Sequence, residues 1–145
     1  MSQPVLQLRM YDPHKDHPMV MQWCVDHAHV GIPANVLPKL GVVVQADGED
    51  VAAVWLYMDN STGVCFAEYP ITKGGISVKL AKNALLFAMT FLKAEAKANG
   101  YWVMRVFTLP AISRCLKSAG FCKDGEGFVS MACDLNAEDD NGNGR

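Results

Sequence analysis

The sequence lacks both a long hydrophobic run and a surplus of charge of either sign. No stretch approaches the ~18 consecutive apolar residues that a membrane-spanning helix requires, so we expect no membrane partner. Its 13 Lys and Arg residues nearly balance its 15 Asp and Glu residues, for a formal net charge of −2. No excess of cations is therefore available to neutralise phosphates, which excludes a dedicated nucleic-acid-binding protein. Because 50% of the residues are hydrophobic and only 19% are charged, an intrinsically disordered chain is excluded as well.

Paired cysteines are also lacking. The five cysteines are odd in number and form no CxxC pair, so we expect reduced thiols in a cytoplasmic protein. The first four residues carry neither a basic start nor an apolar stretch, which predicts no secretory signal. His and Cys residues cluster in 14–17 and 24–29, but no second pair follows at zinc-ligand spacing. We therefore expect an exposed, histidine-rich first helix and no metal.

The length of 145 residues predicts one domain, which we place at 1–136. Residues 137–145 have little to bury and are expected to be a disordered acidic, Gly- and Asn-containing tail. The predicted strands are 5–11, 40–46, 51–58, 64–69 and 101–108, with a closing hairpin of 121–123 and 128–135, and the predicted helices are 17–29, 77–98 and 111–119. A strand, a long helix and a strand in succession predict a right-handed parallel crossover. The expected fold class is therefore α/β (α+β), with a single mixed, mostly antiparallel sheet.

The segment from Tyr69 to Ser77 leads into the long helix and contains Lys73, Gly74 and Gly75. The first amides of a helix have no partner inside the helix and carry partial positive charge. A glycine pair lets the backbone turn its amides toward an anion, and Lys79 adds charge at the same end. This pattern occurs in phosphate cradles and, more often, in strand-to-helix turns that need glycine for their geometry alone.

Four segments follow one another along the second half of the chain: Ala67-Glu68-Tyr69-Pro70, the long helix ending at Asn99-Gly100, Trp102-Val103-Met104-Arg105-Val106, and the short helix from Ile112 to Gly120-Phe121. Together with the order of elements, these segments resemble the GNAT superfamily of acyl-CoA-dependent N-acetyltransferases. The resemblance implies a GNAT-like fold and acetyl-CoA as co-substrate. It also implies transfer of an acetyl group to an amine of a small molecule or a protein.

The pyrophosphate loop of that family reads Arg/Gln-x-x-Gly-x-Gly/Ala. Its nearest equivalent here is Lys79-Leu80-Ala81-Lys82-Asn83-Ala84, in which a lysine replaces the central glycine. The alternative is that Lys73-Gly74-Gly75 forms the loop ahead of a longer helix. The cofactor-binding residues implied by the resemblance are Tyr69, Ile71, Lys73, Gly74, Gly75, Lys79, Lys82, Asn83 and Ala84.

The chemistry of the family requires a polarised acetyl carbonyl and a neutral amine. A backbone N–H at the end of the strand before the loop supplies the first, which indicates Tyr69 or Ile71. Glu68 on the same strand is the candidate base, and its alternative is a solvent-facing carboxylate. The frequent tyrosine acid of the family is replaced by Leu116, while Tyr57 and Tyr101 are not placed by the sequence.

Two functions follow from this pattern. The first is an acyl-CoA-dependent N-acetyltransferase. The second is a non-catalytic relative that serves as a binding or assembly protein, because the loop and the tyrosine both depart from the family pattern. Small GNAT-like proteins of tailed phages are similar in this respect. A homodimer or a complex with a protein partner is compatible with either function.

Overall fold

A computed structural model describes residues 2–136, so the predicted tail at 137–145 lies outside the described residues. The strands are β1 (Leu6–Met10), β2 (Gly41–Ala46), β3 (Glu49–Met58), β4 (Val64–Thr72) and β5 (Val103–Val106), and the helices are α1 (Pro13–Asp26), α2 (Val78–Ala98) and α3 (Pro110–Leu116), with 3-10 turns at Ala34–Val36 and Lys117–Ala119. One sheet runs in the order β1-β2-β3-β4-β5. The first four strands are antiparallel neighbours, and β4 pairs in parallel with β5. The predicted α+β class and the parallel crossover are confirmed.

Helix α2 forms where the periodicity places it, and it covers one face of the sheet. The Ser77 side chain begins the helix by accepting a hydrogen bond from the Leu80 N–H at 3.1 Å, and Gly100 follows its end with φ +85°, as expected for caps. The buried stripe of the helix consists of Ala84, Leu85, Ala88, Met89, Leu92 and Ala96. This stripe packs on inward-facing residues of β2, β3 and β4, including Val44, Leu56 and Cys65.

Helix α1 covers part of the opposite face, and it begins four residues earlier than the predicted start at 17. Asp12 caps the helix by accepting from the His14 N–H at 3.0 Å, and Pro13 follows directly. Proline is tolerated in a first helical turn because the amide there has no partner in the helix. The core under α1 contains Trp23, Val43 and Trp55, among others. Within residues 2–136, no helix is long and apolar enough to cross a bilayer.

The predicted closing hairpin of 121–123 and 128–135 is wrong, because no strand forms between residues 121 and 136. Side-chain contacts occupy this segment instead of a backbone ladder. Asp124 lies 3.3 Å from Arg105 of β5, and the Phe128 ring meets the Phe107 ring edge-on at 5.8 Å. Strand β5 is therefore the last strand of the described sheet and is shorter than predicted.

Gly41 of β2 lies directly beneath the indole of Trp55. A Cβ at this position would lie 2.4 Å from Trp55 Cδ1 and 3.0 Å from Tyr11 Cβ, and Trp55 has no exposed surface into which it could move. We therefore expect Gly41→Ala to lower the free energy of unfolding by about 1–3 kcal/mol, the usual cost of overpacking a core. Chemical denaturation measures this. Gly63→Ala is the matched control, because its Cβ would meet only the exposed Trp102 ring at 3.4 Å; an equal loss in both variants would contradict the packing argument.

Candidate active site

Strands β4 and β5 part before β4 ends. Their parallel pairing runs from Val64–Val103 to Ala67–Val106 and stops there, while β4 continues to Thr72. We call this separation the β4–β5 opening; Glu68–Thr72 bound it on the β4 side. In this stretch, the backbone N–H and C=O groups of β4 that point toward β5 have no partner in the β4–β5 ladder. They are therefore free to bind a ligand, and ligands of such sheets bind where neighbouring strands part.

A β-bulge in β4 lies at the same place. Two residues, Tyr69 and Pro70, both stand opposite Val54 of β3. The flanking pairs are Trp55–Glu68 and Ala53–Ile71. Tyr69 has φ +52°, a left-handed conformation that is uncommon for a residue with a large side chain. Bulges re-aim side chains and end pairing, and residues held in such conformations are concentrated at functional sites.

The amide of Tyr69 points into the opening. The Val103 N–H donates to the Gly63 carbonyl at 3.2 Å, and this contact sets the phase of the parallel ladder. Every second amide of β4 from Cys65 onward then points toward β5. The Tyr69 amide is the first of that series beyond the last ladder pair. If the parallel ladder continued, the Tyr69 N–H would donate to the carbonyl of Phe107, but Phe107 lies outside the ladder.

The amide of Ile71 points the other way. The Lys73 N–H donates to the Val51 carbonyl of β3 at 2.8 Å, and the bulge places Ile71 in the same phase, opposite Ala53. The side chain of Ile71 is buried under α1. Of the two amides that the sequence indicated as carbonyl donors, the ladder therefore directs only that of Tyr69 toward the opening.

Glu68 is half-buried on the face of the sheet opposite α2. Its neighbours Cys65 and Ala67 belong to the core under α2, so the alternation of a strand turns Phe66 and Glu68 to the other face. Burial raises the pKa of the Glu68 carboxyl above its ordinary value. A carboxyl with a raised pKa is a better proton acceptor than a solvent-exposed one.

Tyr57 of β3 is a further residue of this site. The sequence alone did not locate it, and the fold places it there. It pairs with Phe66, and its hydroxyl donates to the Val36 carbonyl. Burial, followed by the nearby Tyr69 and Glu68, raises the pKa of the Tyr57 phenol. Tyr101, by contrast, donates to the Asp59 carbonyl at 2.8 Å, beyond the opposite end of β4. Only the register of β3 on β4 could have distinguished these two tyrosines.

The loop before α2 is held in place from two sides. The Lys73 ammonium lies 3.7 Å from the carboxylate of Glu49, at the start of β3. A Cβ on Gly74 would lie 2.7 Å from the Asp26 Cβ at the end of α1, and Gly75 has φ +80°, so both positions require glycine. The nearby His27 Nε2 donates to the Thr72 carbonyl at 2.8 Å.

The predicted residues of α2 fall on three different sides of the helix. Lys82 lies on the side of α2 that faces α3, because its ammonium is near the Cys115 thiol of α3. Burial raises the pKa of that thiol, and the Lys82 ammonium opposes the rise. Lys79 and Asn83 face the N-terminal segment and line a recess with Ser2–Pro4. Ala84 has no exposed surface and lies in the core. The side chain of Ala84 is therefore not accessible from the surface, and a small residue is needed there because α2 packs closely on the sheet.

Solved acetyltransferase structures share this architecture. An acetyltransferase from Trypanosoma brucei superposes with a TM-score of 0.59 at 16% identity, covering 90% of this chain and 100% of that one. Glucosamine-6-phosphate N-acetyltransferase from Arabidopsis thaliana gives 0.59 at 10% identity, covering 91% and 99%. An aminoglycoside acetyltransferase from an uncultured soil metagenomic sample gives 0.58 at 13% identity, covering 90% and 99%. The chain has the GNAT acetyltransferase fold. No protein-family profile and no curated protein sequence matches it.

Leu116, at the position of the frequent tyrosine acid, is 2% exposed and packs in the core under α2. Leucine at this position fills the core and offers no phenol. Across residues 2–136, no three His, Cys, Asp or Glu side chains come together in a group that could hold a metal ion.

Proposed function

We propose that this protein is an acetyl-CoA-dependent N-acetyltransferase that acts on an amine. The observation that carries the proposal is the β4–β5 opening, into which the Tyr69 amide points without a ladder partner. An acetyl carbonyl held there would accept a hydrogen bond from that amide. Such a bond strengthens as negative charge develops on the oxygen in the transition state, which is how a backbone oxyanion site accelerates acyl transfer.

Glu68, next to Tyr69 in the chain, acts as the base in this proposal. An amine must lose a proton before or as it attacks the acetyl carbon, and Glu68 accepts that proton directly or through a water molecule. The leaving group is a thiolate, and the ordinary pKa of a thiol is about 8.5. The C–S bond can therefore break to release the thiolate as an anion, which then takes up a proton from solvent. The replacement of the phenol by Leu116 does not prevent the reaction.

The start of α2 holds the phosphates of CoA in this proposal. Ser77 takes the Leu80 amide, which leaves the amides of Val78 and Lys79 without a helical or side-chain acceptor among the described residues. Unpartnered amides and the helix dipole favour an anion at this position. Lys82, whose ammonium lies near Cys115 of α3, is the lysine of α2 that we assign to a phosphate. Lys73 lies before the helix, where it forms an exposed ion pair with Glu49 at 3.7 Å.

Lys82→Ala is expected to weaken CoA binding about five- to tenfold, because one charge-assisted contact to a phosphate is lost at an exposed site. Lys97→Ala is the matched control: Lys97 is an exposed lysine in the last turn of the same helix. Titration calorimetry with acetyl-CoA and CoA at low salt measures both. Equal effects of the two variants would remove Lys82 from the site. No binding of CoA to the unaltered protein would overturn the proposal in favour of a non-catalytic protein.

A further inference from the structure

The face of the sheet opposite α2 is only partly covered. The core under α1 extends across the sheet as far as Trp55 of β3 and Ile71 at the end of β4. Helix α1 contacts β4 on this face, and the core beneath it contains Ile71 as its only buried residue of β4 among the described residues. The uncovered part carries Phe66 and Glu68 of β4. It also carries Arg105 of β5, which pairs with Phe66.

Aromatic rings dominate this uncovered part. Phe66 and Phe107 are stacked, with ring centroids 6.4 Å apart and planes 12° apart, and Phe128 meets Phe107 edge-on. Tyr57 adjoins Phe66 through the strand pairing. We call these four residues the aromatic wall. Phe107 is 50% exposed and Phe128 is 65% exposed, so their rings are open to a ligand.

The charges of the surface single out Glu68. Arg105 lies over the Phe107 ring at 5.7 Å, and its guanidinium is paired with Asp124 at 3.3 Å. Glu68 has no cationic partner among the described residues and is set in the sheet beside the aromatic wall. A site with one unpaired carboxylate and several ring faces favours a cation with an apolar body.

We infer that the acceptor is an arylalkylamine, with its ring on Phe66 and Phe107 and its amino group at Glu68. The inference rests on the proposed function and names its substrate class. Phe66 and Glu68 are two residues apart on one strand, which separates them by about 7 Å, a span that a short alkyl linker bridges. Stacking of the ligand ring on the wall should favour such an amine over an aliphatic one about three- to tenfold.

The test measures amine binding directly, without an acyl donor. Calorimetry or NMR titration compares phenethylamine with hexylamine, which carries the same charge without a ring. Phenethylamine is expected to bind about three- to tenfold more tightly, and Phe107→Leu should abolish that preference. Trp102→Leu is the matched control, because Trp102 is a 91% exposed aromatic residue beside Gly63, at the far end of β4. Equal affinities for the two amines in the unaltered protein would overturn the inference whatever the variants do.

Acetyl transfer is assayed separately with the same amines, so the two failures are distinguishable. Transfer to hexylamine and phenethylamine with equal kcat/KM would overturn the inference and leave the proposed function standing. Preferential binding of phenethylamine without transfer to any amine would support the aromatic site and overturn the transferase.

Discussion

Glu68→Gln is expected to lower kcat/KM for acetyl transfer about 10²- to 10⁴-fold, the usual contribution of a general base. Glutamine keeps the shape of the side chain and cannot accept the proton of the amine. Because burial raises the pKa of Glu68, the activity of the unaltered protein should fall as the pH drops through that raised pKa, where the carboxylate becomes protonated. The variant should lack this acidic limb. Steady-state rates measured over a range of pH test both points.

Stability separates this effect from damage to the fold. A carboxyl with a raised pKa in the folded state destabilises the fold when it is ionised, because its charge is held away from water. Glu68→Gln should therefore leave the melting temperature at pH 7 unchanged or raise it. Glu95→Gln is the control, because Glu95 is a partly buried glutamate near the end of α2, away from the opening. Full activity of Glu68→Gln, or an equal loss in Glu95→Gln, would show that Glu68 is not the base.

Arg9→Met should lower the free energy of unfolding by about 2–3 kcal/mol at neutral pH. Arg9 of β1 holds Asp16 of α1 through two bonds of 2.8 and 2.9 Å. It also holds Asp50 of β3 through bonds of 3.0 and 2.8 Å. Removing the guanidinium leaves Asp16, which is 6% exposed, as a buried charge without its partner. Such losses cost about 3–5 kcal/mol when the pair is fully buried, and the partial exposure of Arg9 and Asp50 reduces that figure.

The loss should also depend on pH in one direction. Hydrogen bonding to Arg9 lowers the pKa of Asp16 and of Asp50. A group whose pKa is lower in the folded state contributes stability above its unfolded pKa of about 3.9, and loses it as the pH falls through the folded pKa. The difference between the unaltered protein and Arg9→Met should therefore be constant near pH 7 and shrink from about pH 4 downward.

Denaturation curves at several pH values measure this difference. Arg105→Met is the matched control, because the Arg105–Asp124 pair is exposed and should contribute no more than about 1 kcal/mol. A loss in Arg9→Met no larger than that of the control, or one that grows in acid, would contradict the assignment.

The sequence by itself determined the elements that rest on local rules. The segment from Val78 to Ala98 has the apolar periodicity of a helix, and Ser77 and Gly100 mark its two ends. Its apolar stripe must be buried, and it is buried against one face of the sheet. Alternating and β-branched segments specify the first four strands, and the strand–helix–strand order specifies the parallel crossover. The closing hairpin was wrong because the turn signal at 124–127 is local, and no strand forms on either side of it in the described chain.

Only the tertiary structure decided how the candidate site is assembled. The sequence indicated both Tyr69 and Ile71 as carbonyl donors, and their amides diverge because a bulge opposite Val54 shifts the ladder by one residue. Tyr57 comes near Glu68 because the register of β3 on β4 pairs it with Phe66, a residue of a different strand. Lys79, Lys82 and Ala84 are close in sequence but lie on different sides of α2. Local propensity sets no register between strands and no rotation of a helix on its sheet, because both depend on packing between distant residues.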